Sequence, residues 1–182
     1  MTRLETERLI LRRWQPSDLE GLAAIDADPE VMRYIGDGSV RTPDETRAAL
    51  ARMQAAWDER GYGHFAVQRR DDGALAGWVG LAVPAFLPEV LPAVEIGWRL
   101  GRAQWGQGFA TEAARAVLAF GFREVGLERV ISIGHVDNAA SLRVMAKLGL
   151  RPYLRTTVPG HGRPVQVTEL TRAEFEVRDA LP

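Results

Sequence analysis

Gln104-Trp105-Gly106-Gln107-Gly108-Phe109-Ala110 is the stretch on which the reading of this sequence turns. It lies between an apolar run ending at Leu100 and a helical pattern from about Phe109 to Val125. The first amides of a helix have no internal partners, and the helix dipole makes that end positive. Gly106 and Gly108 let the backbone approach a ligand with no Cβ in the way. Together these features describe a cradle for phosphate oxygens. The Lys-Ser/Thr ending of a nucleoside triphosphate loop is missing, as are the three glycines of a dinucleotide site. A helix entry that uses glycine only to turn tightly would carry the same residues.

The flanks place this turn in a larger pattern. Upstream, strands are predicted over Arg8–Trp14, His64–Arg69, Leu75–Val83 and Ala93–Leu100. Two helices precede the second of these strands. One starts at Pro16-Ser17-Asp18, with Ser17 or Asp18 as cap, and is broken by Pro29; Glu30 to Tyr34 adds a further turn. The other opens with Thr42-Pro43-Asp44-Glu45, a capping box with proline at its first position, and stops near Gly61. Downstream come a strand over Arg129–Gly134 and a helix from Asn138 to Leu148 ending at Gly149. A hairpin over Arg151–Val158 and Val165–Thr171 and a short helix to Ala180 close the chain. This order predicts an α/β (α+β) fold with a mixed sheet of about seven strands and helices on both faces.

Composition narrows the function. The 182 residues fit one domain, residues 1–182, and 46% of them are hydrophobic, enough for a core. A net charge of -1 gives no bulk attraction to nucleic acid or to a membrane surface. No cysteine is present, which excludes disulfides and thiolate chemistry. The N-terminus lacks the apolar core of a signal peptide and no run is long enough to span a bilayer, so a cytoplasmic location is expected. His64, His135 and His161 have no metal-ligand spacing, so no metal is expected.

Three motifs in order resemble the GNAT N-acetyltransferase superfamily: Val94-Glu95-Ile96-Gly97-Trp98-Arg99-Leu100, then Trp105 to Glu112, then Asn138 to Leu150. Thr6-Glu7-Arg8-Leu9-Ile10-Leu11-Arg12 and Val31-Met32-Arg33-Tyr34-Ile35-Gly36 narrow the resemblance to the Rim-type subgroup, named for ribosomal-protein N-terminal acetyltransferases. The resemblance implies a mostly antiparallel sheet splayed near Glu95 and Ile131, and acetyl-coenzyme A as co-substrate. It implies that Gln107, Gly108, Phe109, Ala110 and Thr111, with Gly106 in the same turn, hold the pyrophosphate. Trp105 stands where the general family pattern has Gln or Arg. The strand through Gly97, Trp98 and Leu100 would pair with the pantetheine arm, and Asn138 would bond it while capping its own helix.

The chemistry needs a proton taken from the ammonium, an oxyanion held, and a proton returned to the thiolate. Alternation puts Glu95 with Gly97 and Arg99 on one face, opposite Val94, Ile96 and Trp98. Glu95 occupies the family's general-base position. Met145 stands where many members keep an acidic tyrosine, and Ser141 lies one turn earlier on the same face. The Rim-type pattern thus implies Ser141 as proton donor or hydrogen-bond partner of the sulfur. A backbone amide between Glu95 and Trp98 is the expected oxyanion donor. Tyr34, Ile35 and His135 are candidate acceptor contacts. Trp14, Trp57, Trp78 and Trp98 read as core, and Phe86, Leu87, Val90 and Leu91 as a dimer patch or pocket wall, with the chain a monomer or homodimer. The acceptor is a primary amine: a protein N-terminus, or a small molecule such as an amino acid, polyamine or aminoglycoside. A non-catalytic acyl-coenzyme A binder is the reading of a different class.

Overall fold

In the computed structural model, which describes residues 2–180, the chain winds around an eight-stranded sheet. Its strands are β1 (Leu4–Glu5), β2 (Leu9–Arg12), β3 (His64–Arg69), β4 (Leu75–Ala82), β5 (Glu95–Leu100), β6 (Arg129–His135), β7 (Arg151–Thr157) and β8 (Pro164–Thr171). They lie in the order β1-β2-β3-β4-β5-β6-β8-β7. Every neighbouring pair is antiparallel except β5 and β6. The pattern predicts about seven strands. The eighth is β1, whose two residues pair with Ile10 and Leu11 and are too few to show an alternation.

Period-two alternation gives the sheet two different faces. Leu9, Leu11, Phe65, Val67, Val79, Leu81, Ile96 and Leu100 pack against α4 (Phe109–Phe120) and α5 (Ala139–Leu148). In α4 the buried residues Ala113, Ala114, Val117, Leu118 and Phe120 recur at helical spacing and form one apolar stripe. Trp14, Ala66 and Trp78 on the opposite face are covered by Leu22 of α1 (Asp18–Asp26) and Leu50 of α3 (Pro43–Arg60). Further along that face Ile131, Val165 and Val167 are covered by Leu87 and Val90 from the proline-punctuated loop. That loop is therefore half core and half surface, since Phe86 and Leu91 stay exposed. A single turn, α2 (Pro29–Met32), follows α1, and α6 (Arg172–Asp179) ends the described chain.

Caps form largely as the motifs predict. Thr42 and Glu45 close both halves of a capping box on α3, and Gly61 ends it at φ 73°. Asn138 caps α5, and Gly149 ends it at φ 87°. The start of α1 is different. Ser17 makes no cap bond, and Asp18 turns away from the helix to Arg12, with oxygens 2.7 and 2.8 Å from the guanidinium. A buried carboxylate gains more from a bidentate guanidinium than from a helix amide.

Asp26, at the end of α1, is fully buried. Its oxygens lie 2.5 Å from Arg99 Nη1 on β5, 3.2 Å from Arg41 Nη1 and 3.2 Å from Thr46 Oγ1. Removing one partner of a buried pair strands the other charge. Asp26→Ala is expected to cost about 3–5 kcal/mol of stability, measured by urea unfolding. A loss below about 1 kcal/mol would mean that Arg99 is held by something else.

Candidate active site

β5 and β6 share one register pair, Glu95 with Ile131, and the Ile131 N–H donates to the Val94 carbonyl at 2.9 Å. Beyond it the two strands part. The Ile96 carbonyl then takes a bond from the buried Ser132 Oγ at 2.9 Å, where a ladder amide would otherwise stand. Backbone groups alternate sides along a strand. The Ile96 N–H completes the parallel pair by donating to the Ile131 carbonyl, so the next N–H on that side, of Trp98, is the one that faces the gap. Leu100 lies further along the same edge, but its side chain is in the core and its carbonyl accepts from Trp105 Nε1 at 2.9 Å. Ser132 is absent from the sequence reading; its one signal is a hydroxyl within the apolar run Val130–Ile133.

At the end of β5 the glycine turn opens into α4. Gly106 at φ 75° and Gly108 at φ 84° adopt the left-handed conformation that other residues avoid. Nothing lies within 4 Å of where a Cβ on Gly106 would stand. Gly108 is the N-cap, so no side chain caps the first turn, and the first helical bond runs from Glu112 N–H to the Gly108 carbonyl. The amides of Phe109, Ala110 and Thr111 are thus left to a ligand. The Gln107 side chain folds back to the Ala103 carbonyl at 2.8 Å and shapes the loop. An open cleft beside the turn is lined by Arg8, Thr111, Arg115 and Lys147 and by two carboxylates, Glu7 and Glu112, the latter paired with Arg8. These features fit a pyrophosphate.

Glu95 shares its face with Gly97, Arg99, Trp78 and His64, and across the gap with Ile131, Ile133 and His135. Burial pushes its carboxyl up to about 8, against a smaller opposite pull from the Ile133 N–H. His64 stands edge-on to Trp78, with ring centroids 4.6 Å apart. Burial, helped by the charge of Arg99, brings His64 down to about 4 and keeps it neutral. The rings of Tyr34 and His135 approach to 5.2 Å, so two of the three acceptor candidates meet. Ile35 follows in the same loop. Burial, then Arg163 and His161, hold His135 below its ordinary value, and its Nδ1 accepts the Asp137 N–H. Arg163 reaches across this mouth to the carbonyls of Gly36 at 3.0 Å and Arg33 at 2.7 Å.

Ser141 and Met145 come from α5, on the other face of the sheet. Met145 is fully buried, and its Cε lies 2.8 Å from where a Cβ on Gly134 would be. Ser141 is half-buried at the first turn, where its N–H donates to Asn138 Oδ1 at 3.1 Å. Glu95 and Ser141 therefore belong to opposite faces of the sheet that parts between β5 and β6.

A parted pair of strands beside a phosphate cradle defines an acetyltransferase of the GNAT class, and comparison with known proteins agrees. The family described as acetyltransferase (GNAT) domain matches residues 8–151. The chain belongs to this family. It is 31% identical over 148 residues to the uncharacterized N-acetyltransferase YoaA of Bacillus subtilis (strain 168), covering 81% of this chain and 82% of that protein. It is 35% identical over 152 residues to the FsC-acetyl coenzyme A-N(2)-transacetylase of Aspergillus fumigatus, covering 81% of this chain and 64% of that protein. Among solved structures, an acetyltransferase (GNAT family) from Bacillus anthracis superposes with a TM-score of 0.81 at 27% identity, over 95% of this chain and all of that one. Among the described residues no helix is long and apolar enough to cross a membrane.

Only the ionised form of a carboxylate accepts a proton. With Glu95 at about 8, kcat/KM for amine acetylation is expected to rise with pH through that region, and Glu95→Gln to lose this limb. The stability effect has the opposite sign. The folded state holds the Glu95 proton up to about 8 while the unfolded chain releases it near its ordinary value, so the group costs stability as pH rises between the two. Glu95→Gln should therefore gain stability relative to the native chain at pH 8, but not at acid pH where both are neutral, as read from melting temperatures.

Proposed function

We propose that the chain, as one domain over residues 1–182, transfers the acetyl group of acetyl-coenzyme A directly to a primary α-amine, with Glu95 as general base and Ser141 as proton donor. The observation that carries this is the gap that opens beyond the Glu95–Ile131 pair, with the carboxylate of Glu95 from one face of the sheet and the hydroxyl of Ser141 from the other. Gly106 to Thr111 hold the pyrophosphate. The edge of β5 at Gly97, Trp98 and Leu100, with Asn138, holds the pantetheine arm. The amine enters from the face of Tyr34, Ile35 and His135. Its nitrogen attacks the thioester carbonyl while the proton passes to Glu95, directly or through water. The oxyanion is held by the Trp98 amide. The C–S bond then breaks, and the thiolate takes its proton from Ser141, which is reprotonated from solvent.

Proton matching favours an α-amine. Its pKa is roughly 8, against about 10.4 for lysine. Glu95 at about 8 takes a proton from the former at almost no cost and from the latter only uphill. The Rim-type motifs at Thr6–Arg12 and Val31–Gly36 support a protein N-terminus as the source of that amine. A small-molecule amine is favoured instead by the Arg163 bridge, which narrows the mouth.

A panel of amines with acetyl-coenzyme A and detection of released thiol tests both. Peptides and amino acids with free α-amines are expected to release thiol at least about tenfold faster than their Nα-blocked lysine counterparts at pH 7.5. Binding of acetyl-coenzyme A with no thiol released by any amine would leave a non-catalytic binder. Replacing Ser141 with Ala should lower kcat with little change in coenzyme affinity; an unchanged kcat would remove it as the donor.

A further inference from the structure

Thr6-Glu7-Arg8 joins β1 to β2, and the reaction above gives it no part beyond lining the cleft. Its polar groups converge on the first turn of α4. Thr6 Oγ1 donates to Glu112 Oε1 at 2.6 Å, and the Arg8 N–H donates to the same oxygen at 2.9 Å. The Arg8 guanidinium takes the other oxygen, with Nε at 2.7 Å and Nη2 at 2.6 Å. Its Nη1 donates to the Gln107 carbonyl at 2.9 Å, and the guanidinium lies 4.7 Å from the centroid of the Phe109 ring. One side chain thus touches both sides of the glycine N-cap.

Two consequences follow from elementary geometry and charge. The peptide unit is planar and trans, so the Gly108 N–H points opposite to the Gln107 carbonyl. Pinning that carbonyl on Arg8 fixes the N–H facing away from it, at the head of the free amides of α4. Second, Glu112 is an acid in the first turn of a helix whose amides are meant for phosphate. A carboxylate there is drawn to the same positive end and repels a second anion. Thr6 and Arg8 occupy both of its oxygens. A partly exposed ion pair adds little stability by itself, so these contacts are better explained by what they hold in place.

We propose that Arg8 is a positioning residue for coenzyme binding: with Thr6 it holds and neutralises Glu112 beside the phosphate cradle and presets the Gln107–Gly108 peptide. This rests on the coenzyme A reading above. The test is the Kd for coenzyme A, by calorimetry on the full chain, for the native protein, Arg8→Ala, Arg8→Lys and the double variant Arg8→Ala/Glu112→Gln, each with its melting temperature. Arg8→Ala is expected to weaken binding about tenfold, the scale of lost charge-assisted hydrogen bonds. The double variant should bind severalfold tighter than Arg8→Ala, because the released anion is gone. A merely structural role predicts no such recovery. Native-like affinity in Arg8→Ala, or no recovery in a folded double variant, overturns the proposal. If Arg8→Ala does not fold, Arg8→Lys decides: its ammonium stays near Glu112 but cannot span both oxygens and Gln107, so native-like affinity there also overturns it. A native chain that fails to bind coenzyme A refutes the coenzyme reading itself, and this inference with it.

Discussion

The structure depends on two parallel strands that are not allowed to stay together. A parallel pair inside a sheet is normally zipped along its length. Here β5 and β6 are joined at one end, by Glu95 with Ile131, and are then driven apart. What keeps the parting tolerable is that its exposed backbone is managed. Ser132 satisfies the Ile96 carbonyl and Trp105 satisfies the Leu100 carbonyl. The two cores on the outer faces hold the separated strands in place, α4 and α5 from one side and the helices and proline loop from the other.

Much of this is written locally. The glycine turn, the Thr42–Glu45 box, Asn138 and Gly149 act within a few residues, so their sequence signals and their geometry coincide. Glu95 is legible as well, because alternation along β5 alone decides its face. What escapes the sequence is what depends on partners far away. Asp18 caps nothing because Arg12 lies beside it in the fold. Ser132 looks like an interruption of an apolar run until Ile96 is seen across the gap. The eighth strand exists only because Ile10 and Leu11 offer it an edge. Arg163 and its loop carbonyls are over a hundred residues apart.

The two halves of the site differ in kind. The proposed coenzyme side is built from backbone: glycine conformations, helix amides and a strand edge, to which side chains contribute mainly by shaping. The proposed acceptor side is built from side chains: Tyr34, Ile35 and His135, beside the Arg163 bridge. Backbone sites tolerate sequence change, whereas side-chain sites are remade by it. That division accounts for a coenzyme reading that follows from a short motif and an acceptor reading that does not.

The buried pair of Asp26 and Arg99 bears on the reaction in a way that its role in packing does not reveal. Arg99 lies four residues after Glu95 on the same face of the same strand. A free guanidinium there would draw Glu95 into its ionised form and leave it a weak base. Asp26 pairs with that guanidinium at 2.5 Å, and the shift of Glu95 comes from burial, opposed by the Ile133 N–H. The last residue of α1 thus anchors a charge on β5 whose reach extends to His64, on the same face as Glu95, and helps keep that imidazole neutral.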